Sequence, residues 1–223
     1  DHSLYYDPDP RLRGKTYCKV GAFQNIRISR KELGIPPQDF RSMSDSTKQT
    51  LWLAEEAIKQ SGLLDSDVPR ERIGVLISQN SGEGAATLTD LLFEVNSHEI
   101  VRCVQDVIPL TAETEKSLRE RIRAGRLTVD DTTLLGRLNC AAGGFVCNRY
   151  GLRGPSYAVS AACATSLVAI YSAIQMINNG ILDAAVVGGG EENLFPAHFI
   201  EFSALGALAG VSGFPCPPEA SSR

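Results

Sequence analysis

Apolar residues in this chain fall into a few periodic runs separated by glycine and proline, and those runs predict its elements. Ile73-Gly74-Val75-Leu76-Ile77-Ser78 is a short continuous apolar run, the pattern of a strand buried on both faces. Ile181-Leu182-Asp183-Ala184-Ala185-Val186-Val187-Gly188-Gly189-Gly190 repeats it and ends in glycines that let something pack tightly against the strand. Leu167, Ile170, Tyr171, Ile174 and Ile177 recur at three- and four-residue spacing and predict a helix, with Gly180 placed as a left-handed stop. Another helix is predicted from a cap at Asp45 or Ser46 to about Ser61, with Leu51, Ala54, Ala57 and Ile58 on one face and Gly62 as its end. Trp52, within it, reads as core packing.

Other stretches are less regular. Thr111 to Gly125 is charge-rich and helical: Glu113 and Glu115 suit the positive N-terminal end, and Leu118 and Ile122 form a narrow apolar stripe. Leu134 to Tyr150 is dominated by small and apolar residues, which predicts a core helix. Residues 1–45 are broken by Asp7-Pro8-Asp9-Pro10, Gly14, Gly34 and Pro36-Pro37 and read as an extended, loop-rich arm.

The chain is organised around Gly154-Pro155-Ser156-Tyr157-Ala158-Val159-Ser160-Ala161-Ala162-Cys163-Ala164-Thr165-Ser166-Leu167. A turn signal leads into a β-prone run, small residues follow, and Cys163 stands at the break before the helix. A thiol at a helix N-terminus meets unpaired N–H groups and the positive end of the helix dipole, which favour the thiolate. The same N–H groups suit an oxyanion formed on attack at a thioester carbonyl. Against this stands the ordinary fate of a free cysteine, which is to be buried as a small hydrophobe.

The run Val159 to Ala169 resembles the active-site signature V-D-T-A-C-S-S-S-L-V-A of the β-ketoacyl synthases, the condensing enzymes of fatty-acid and polyketide synthesis. Gly136-Arg137-Leu138 through Gly151-Leu152-Arg153-Gly154-Pro155 resembles the family's approach to that strand. Ala184 to Asn193 resembles its A-x-V-G-G-x-x-x-N strand end, and Phe199 to Leu208 its F-x-x-F-S-x-x-G-A-L-S run. Tyr6-Asp7-Pro8-Asp9-Pro10, Gly14-Lys15-Thr16-Tyr17 and Gly21-Ala22-Phe23 resemble the polyketide-synthase form of the N-terminal run, favouring a polyketide or polyunsaturated-fatty-acid type. Ser160 stands in place of the common aspartate and Ala164-Thr165 in place of a Ser-Ser pair.

The resemblance implies an α/β fold, the N-terminal half of a thiolase-like domain with a mixed sheet layered with helices. It implies that residues 1–223 are a partial ketosynthase domain, lacking the first strand and the C-terminal half with its two histidines and lysine. Cys163 is implied as the catalytic residue. It would take an acyl group from the phosphopantetheine of an acyl carrier protein, with no cofactor bound directly, before decarboxylative condensation with a malonyl-type extender. The region from Leu134 through the following strand is implied to lie near a homodimer seam. The alternatives are a non-catalytic partner resembling a chain-length factor, against which Cys163 argues, and a thiolase-fold enzyme using acyl-CoA.

Composition changes this picture little. The 223 residues are 43% hydrophobic and 22% charged, as in ordinary globular chains. A formal net charge of −4 with no basic run argues against nucleic acid. No apolar run reaches a bilayer span and the N-terminus has no signal-peptide pattern, so the expectation is no membrane and a cytoplasmic location. Cys18, Cys103, Cys140, Cys147, Cys163 and Cys216 contain no C-x-x-C pair and no adjacent histidine, which argues against zinc. Apart from Cys163 they are expected to be buried thiols in a reducing compartment.

Three other features invite chemistry. Gln79-Asn80-Ser81-Gly82-Glu83-Gly84 follows a strand but lacks a third glycine for phosphate, so it reads as a tight connection. Glu191 and Glu192, adjacent at a strand end, would point to opposite faces and hold no ion together. His198 is a candidate base for Cys163, although it matches no histidine of the family; His98 lies in a polar segment and is weaker still.

Overall fold

A computed structural model describes residues 2–18, 21, 27–79, 85–124, 138–191, 194 and 196–209. The chain forms two compact units, one of Ile28–Glu192 and one of Asp1–Arg27 with Asn193–Arg223. In chain order the described helices are α1 (His2–Tyr5), α2 (Pro37–Ser42), α3 (Asp45–Ser61), α4 (Ala85–Val107), α5 (Ala112–Arg123), α6 (Ala141–Tyr150), α7 (Thr165–Asn178) and α8 (Pro196–Ala204), and the strands are β1 (Ile73–Gln79) and β2 (Ala184–Gly190).

The axis of the larger unit is β1, all seven residues of which are buried. β2 pairs with it in parallel from Ile73 opposite Ala184 to Gln79 opposite Gly190. On the other edge the segment after Gly154 runs parallel to β1 through a single bridge, Val75 to Ser156. There the Val75 amide donates to the Pro155 carbonyl (3.0 Å) and the Tyr157 amide to the Val75 carbonyl (3.2 Å).

Alternation along β1 sorts its side chains into two layers. Ile73, Val75 and Ile77 pack with Leu51, Ala54 and Ile58 of α3 and Ala142 and Val146 of α6. Leu76 points the other way, onto Ala169 and Ala173 of α7. The continuous apolar run of the sequence is therefore a strand covered on both faces, as its pattern predicts.

α3 ends at Gly62 in the left-handed conformation (φ 64°), as expected. Its cap, however, is Ser44, whose side chain accepts from the Thr47 amide, one or two residues before the predicted Asp45 or Ser46. Ser44 wins because its hydroxyl is also held by Ser46 (2.8 Å) and Thr47 (2.9 Å). Ala57 is exposed, and the buried face carries Leu51, Ala54, Glu55 and Ile58. Glu55 is tolerated there because Lys59 (2.8 Å) and Arg149 (3.3 Å) neutralise it. Trp52 packs, half-buried, against this core.

At the open ends of the strands Arg72 donates from Nε and Nη2 to the Asp183 carboxylate and from Nη2 to the Gly180 carbonyl (3.1 Å), while the Asp183 amide donates to the Arg72 carbonyl (2.9 Å). The hydrogen bonds from Arg72, and then its charge, hold the Asp183 carboxyl below the usual carboxylate range. A carboxyl whose folded pKa lies below its unfolded value, about 3.9, stabilises the fold above that pH and stops doing so as pH falls through the folded value. Asp183→Asn is therefore expected to shallow the acid limb of the stability curve below about pH 4, as read by urea midpoints across pH.

Several expectations are corrected. The apolar stripe that marks α7 in the sequence is exposed: Leu167 is 72% and Tyr171 64% accessible, with Ile170, Ile174 and Ile177 also exposed. The helix packs instead through Ala169 and Ala173, whose small side chains allow close approach to β1. β2 is half-buried, not sealed on both faces, and Ile181 precedes it exposed. Of the five described cysteines none is buried; Cys103, Cys140 and Cys163 are exposed. Cys140 sits at the cap position of α6 and Cys147 within it, and Cys216 lies outside the described residues.

The 1–45 stretch is divided between the two units, its residues to Arg27 in the smaller and Ile28 onward in the larger. Within the smaller unit Thr16 bridges to Tyr6, the Thr16 hydroxyl meets Ser203 Oγ of α8 (2.7 Å), and the Tyr17 hydroxyl donates to the Leu208 carbonyl (3.0 Å). α5 begins at the Thr111 cap, which accepts from the Thr114 amide, and carries Leu118 and Ile122 half-buried. Gly125 and Leu134 to Arg137 lie outside the described residues.

Candidate functional site

The corner carrying Cys163 is built outward from β1. Pro155 and Tyr157 pair with Val75, and at Val159, two residues beyond Tyr157, the side chain of Ser78 takes over from the backbone ladder: the Val159 amide donates to Ser78 Oγ (2.6 Å), and Ser78 Oγ donates to the Val159 carbonyl. The segment is thus held extended to Val159, four residues before Cys163. Replacing Ser78 by alanine leaves both polar groups of half-buried Val159 without their partner. The expected loss is about 1–3 kcal/mol, read from the urea midpoint.

The chain then turns. Ala162 adopts a left-handed conformation (φ 47°), which costs a non-glycine residue about 1–2 kcal/mol. Ala162–Ala164 form one 3₁₀ turn, and α7 begins at Thr165. Cys163 sits in that turn, at the corner between the extended segment and the helix, and it is exposed. The sequence order of extended run, sharp turn, cysteine and helix is the order in space.

The amides next to the cysteine differ from expectation. Those of Ala164 and Thr165 donate into the turn, to the carbonyls of Ala161 (3.0 Å) and Ala162. The 3₁₀ turn consumes two donors that a plain helix N-terminus would leave open for an oxyanion.

Thr165 closes the corner from behind. Its Oγ1 accepts from the Ala161 amide (2.9 Å) and donates to the Ala162 carbonyl (2.7 Å). In the sequence Thr165 stands out only as a variation of a serine pair, and Ser78 only as the polar end of an apolar strand. A hydroxyl residue just after a helix start and another in a buried strand were the available signals. The glycines ending β2 do what their pattern predicts: a Cβ on Gly189 would stand 3.1 Å from Ser166 Oγ of α7, and one on Gly190 2.1 Å from Thr50 Oγ1 of α3.

The other candidates have these surroundings. His198 is on α8 in the smaller unit, with Nε2 3.9 Å from Glu201 Oε2 one turn on. His98 Nδ1 lies 3.0 Å from Arg119 Nη1, in a surface group with Glu115, which accepts from Arg119. Glu191 is exposed just past β2, and Glu192, with which it was expected to diverge, lies outside the described residues. Of the 79–84 loop only Gln79 is described; it accepts from Thr47 Oγ1 (2.6 Å) and donates to the Leu138 carbonyl (3.1 Å), a structural role. Among the described residues no group of three or more metal-ligating side chains occurs, and no helix is long and apolar enough to cross a membrane.

The sequence has relatives. The spectinabilin polyketide synthase system protein NorC of Streptomyces orinoci is 30% identical over 207 residues, 92% of this chain and 8% of that one. The pikromycin polyketide synthase component PikAII of Streptomyces venezuelae is 26% identical, covering 92% of this chain and 5% of the relative. The mycoketide-CoA synthase of Mycobacterium tuberculosis is 27% identical, covering 92% and 4%. This chain thus spans less than a tenth of the length of these curated relatives. Among solved structures, the oxazolomycin ketosynthase domain OzmH KS7 of Streptomyces albus JA3453 superposes with a TM-score of 0.66 at 20% identity, over 94% of this chain and 31% of that one, which supports the thiolase-like α/β fold. The β-ketoacyl synthase N-terminal domain family matches residues 1–219, nearly the whole chain and the corner around Cys163 with it, so the chain belongs to that family.

Proposed function

We propose that this chain supplies the acyl-accepting cysteine of a polyketide-synthase ketosynthase. The observation that carries the reading is the exposed position of Cys163 at a braced corner between an extended segment and a helix, in a chain of this family. The Cys163 thiolate attacks the carbonyl of an acyl thioester on the phosphopantetheine of an acyl carrier protein. The carbon–sulfur bond to pantetheine breaks, and the pantetheine sulfur leaves as a thiolate that takes a proton from water. Loss of carbon dioxide from a malonyl-type extender then gives a carbanion that attacks the acyl-cysteine carbonyl, releasing Cys163 and forming a β-ketoacyl product. The resemblance implies two histidines and a lysine for this second step, and no residue of this chain is matched to them, so the chain alone is proposed to load but not to condense. No cofactor is bound directly, the protein works in the cytoplasm, and it pairs as a homodimer through the ketosynthase domain.

The test is intact-mass analysis of the chain after incubation with an acyl group presented on an acyl carrier protein, on pantetheine alone or on coenzyme A. Acylation confined to Cys163, fastest from the carrier protein, supports the reading. Equal or faster transfer from coenzyme A would point to a thiolase-fold enzyme of acyl-CoA instead, and no acylation from any donor would remove the loading role. β-Ketoacyl product from this chain and a malonyl extender would overturn the division between loading and condensation.

A further inference from the structure

We propose that Thr165 is a positioning residue that pins the left-handed corner and so sets where Cys163 is presented; its functional consequence rests on the reading of Cys163 as acyl acceptor. Among the described residues Ala162 is the one non-glycine with a positive φ. A conformation that an alanine resists persists where neighbouring groups hold it. Thr165 Oγ1 accepts from the Ala161 amide (2.9 Å) and donates to the Ala162 carbonyl (2.7 Å). A hydroxyl has one proton and two lone pairs, so both bonds form at once, and the backbone between the two bonded groups contains both torsions of Ala162.

The direction of the bonds separates this role from ordinary capping. A capping side chain lies before its helix and accepts from amides two or three residues ahead. Thr165 is the first residue of α7 and reaches back, to the amide four residues earlier and the carbonyl three residues earlier. Its β-branching stiffens χ1 and fixes the direction of the hydroxyl. The 3₁₀ bond from the Thr165 amide to the Ala162 carbonyl adds a second tie to the same residue. Cys163, next in the chain, takes its position from the peptide plane so held.

The experiment compares the unaltered chain with Thr165→Val, which keeps the shape and loses both bonds, and Thr165→Ser, which keeps the hydroxyl. Two quantities are read: amide hydrogen exchange at Ala161 relative to Val75, and the rate and KM of acyl uptake from an acyl-pantetheine thioester. The Ala161 amide is expected to exchange at least about tenfold faster in Thr165→Val, with Val75 unchanged, and Thr165→Ser to stay within about threefold of the unaltered chain. Acyl uptake at saturating thioester is expected to fall about tenfold in Thr165→Val with KM unmoved, and to be restored by serine.

Equal Ala161 exchange in the unaltered and Thr165→Val chains overturns the proposal, as does undiminished uptake in Thr165→Val or a serine variant as impaired as the valine one. Should Thr165→Val fail to fold, the unaltered chain still decides, because an Ala161 amide exchanging as in an unstructured peptide overturns the brace. Should no form of the chain accept an acyl group, the loading function fails while the Ala161 comparison continues to test Thr165.

Discussion

Cys163→Ala is expected to lower acyl uptake from a phosphopantetheine thioester by at least about 10³-fold, because no other group at the corner can form the thioester bond. The same substitution is expected to leave the fold almost untouched. Cys163 is exposed and the left-handed residue of the turn is its neighbour Ala162, not Cys163 itself; trimming an exposed side chain that leaves the backbone as it is changes stability by about 0.5 kcal/mol or less. The pairing of the two results identifies a chemical role, since a structural cysteine would lose stability first. Mass analysis of the Cys163 peptide, together with urea unfolding of the same samples, measures both. Among the described residues the other exposed cysteines, Cys103 and Cys140, serve as internal controls: acyl groups appearing on them at a comparable rate would mean indiscriminate thiol exchange.

The second large effect is expected at Gly154, and it acts on stability. A Cβ there would stand 2.3 Å from the Ile73 carbonyl oxygen, 2.6 Å from its carbon and 3.1 Å from the Gly74 nitrogen. All three are backbone atoms at the start of β1, where no side chain can swing aside. Gly154→Ala must therefore push the extended segment off β1, costing about 3 kcal/mol or more, a large part of the stability of an ordinary domain. Because that segment leads directly to Cys163, acyl uptake should fall with it. Gly188→Ala is the matched control: nothing lies within 4 Å of a Cβ there, and the change should be near neutral. A Gly154→Ala chain that unfolds at the same urea midpoint as the unaltered one would show that the segment is not held as described.

Much of the fold was legible because it rests on local rules. β1 appeared as an uninterrupted apolar run because both of its faces are covered, and α3 ended where Gly62 could turn left-handed. The helix beginning with Thr165 was legible from periodicity, and Cys163 at its start from the small residues around it and the resemblance they carry. α4, 23 residues long, was not anticipated, since only His98 drew attention in that stretch. The cap of α3 was misplaced by one or two residues because Ser44, Asp45 and Ser46 are all competent caps and the choice lies with the hydroxyl cluster around Ser44.

By itself the sequence determined which segments are apolar, which glycines permit a turn or a close approach, and which cysteine stands between an extended run and a helix. Those properties depend on residues near one another in the chain. Tertiary structure decided that α7 packs through Ala169 and Ala173 while its larger apolar residues face outward, because periodicity defines a stripe but not the surface it meets. It also decided that Ser78 would hold Val159, 81 residues away in sequence, and that Thr165 would bond back across a strained alanine. A hydroxyl has several partners of nearly equal strength, and only the packed chain selects among them.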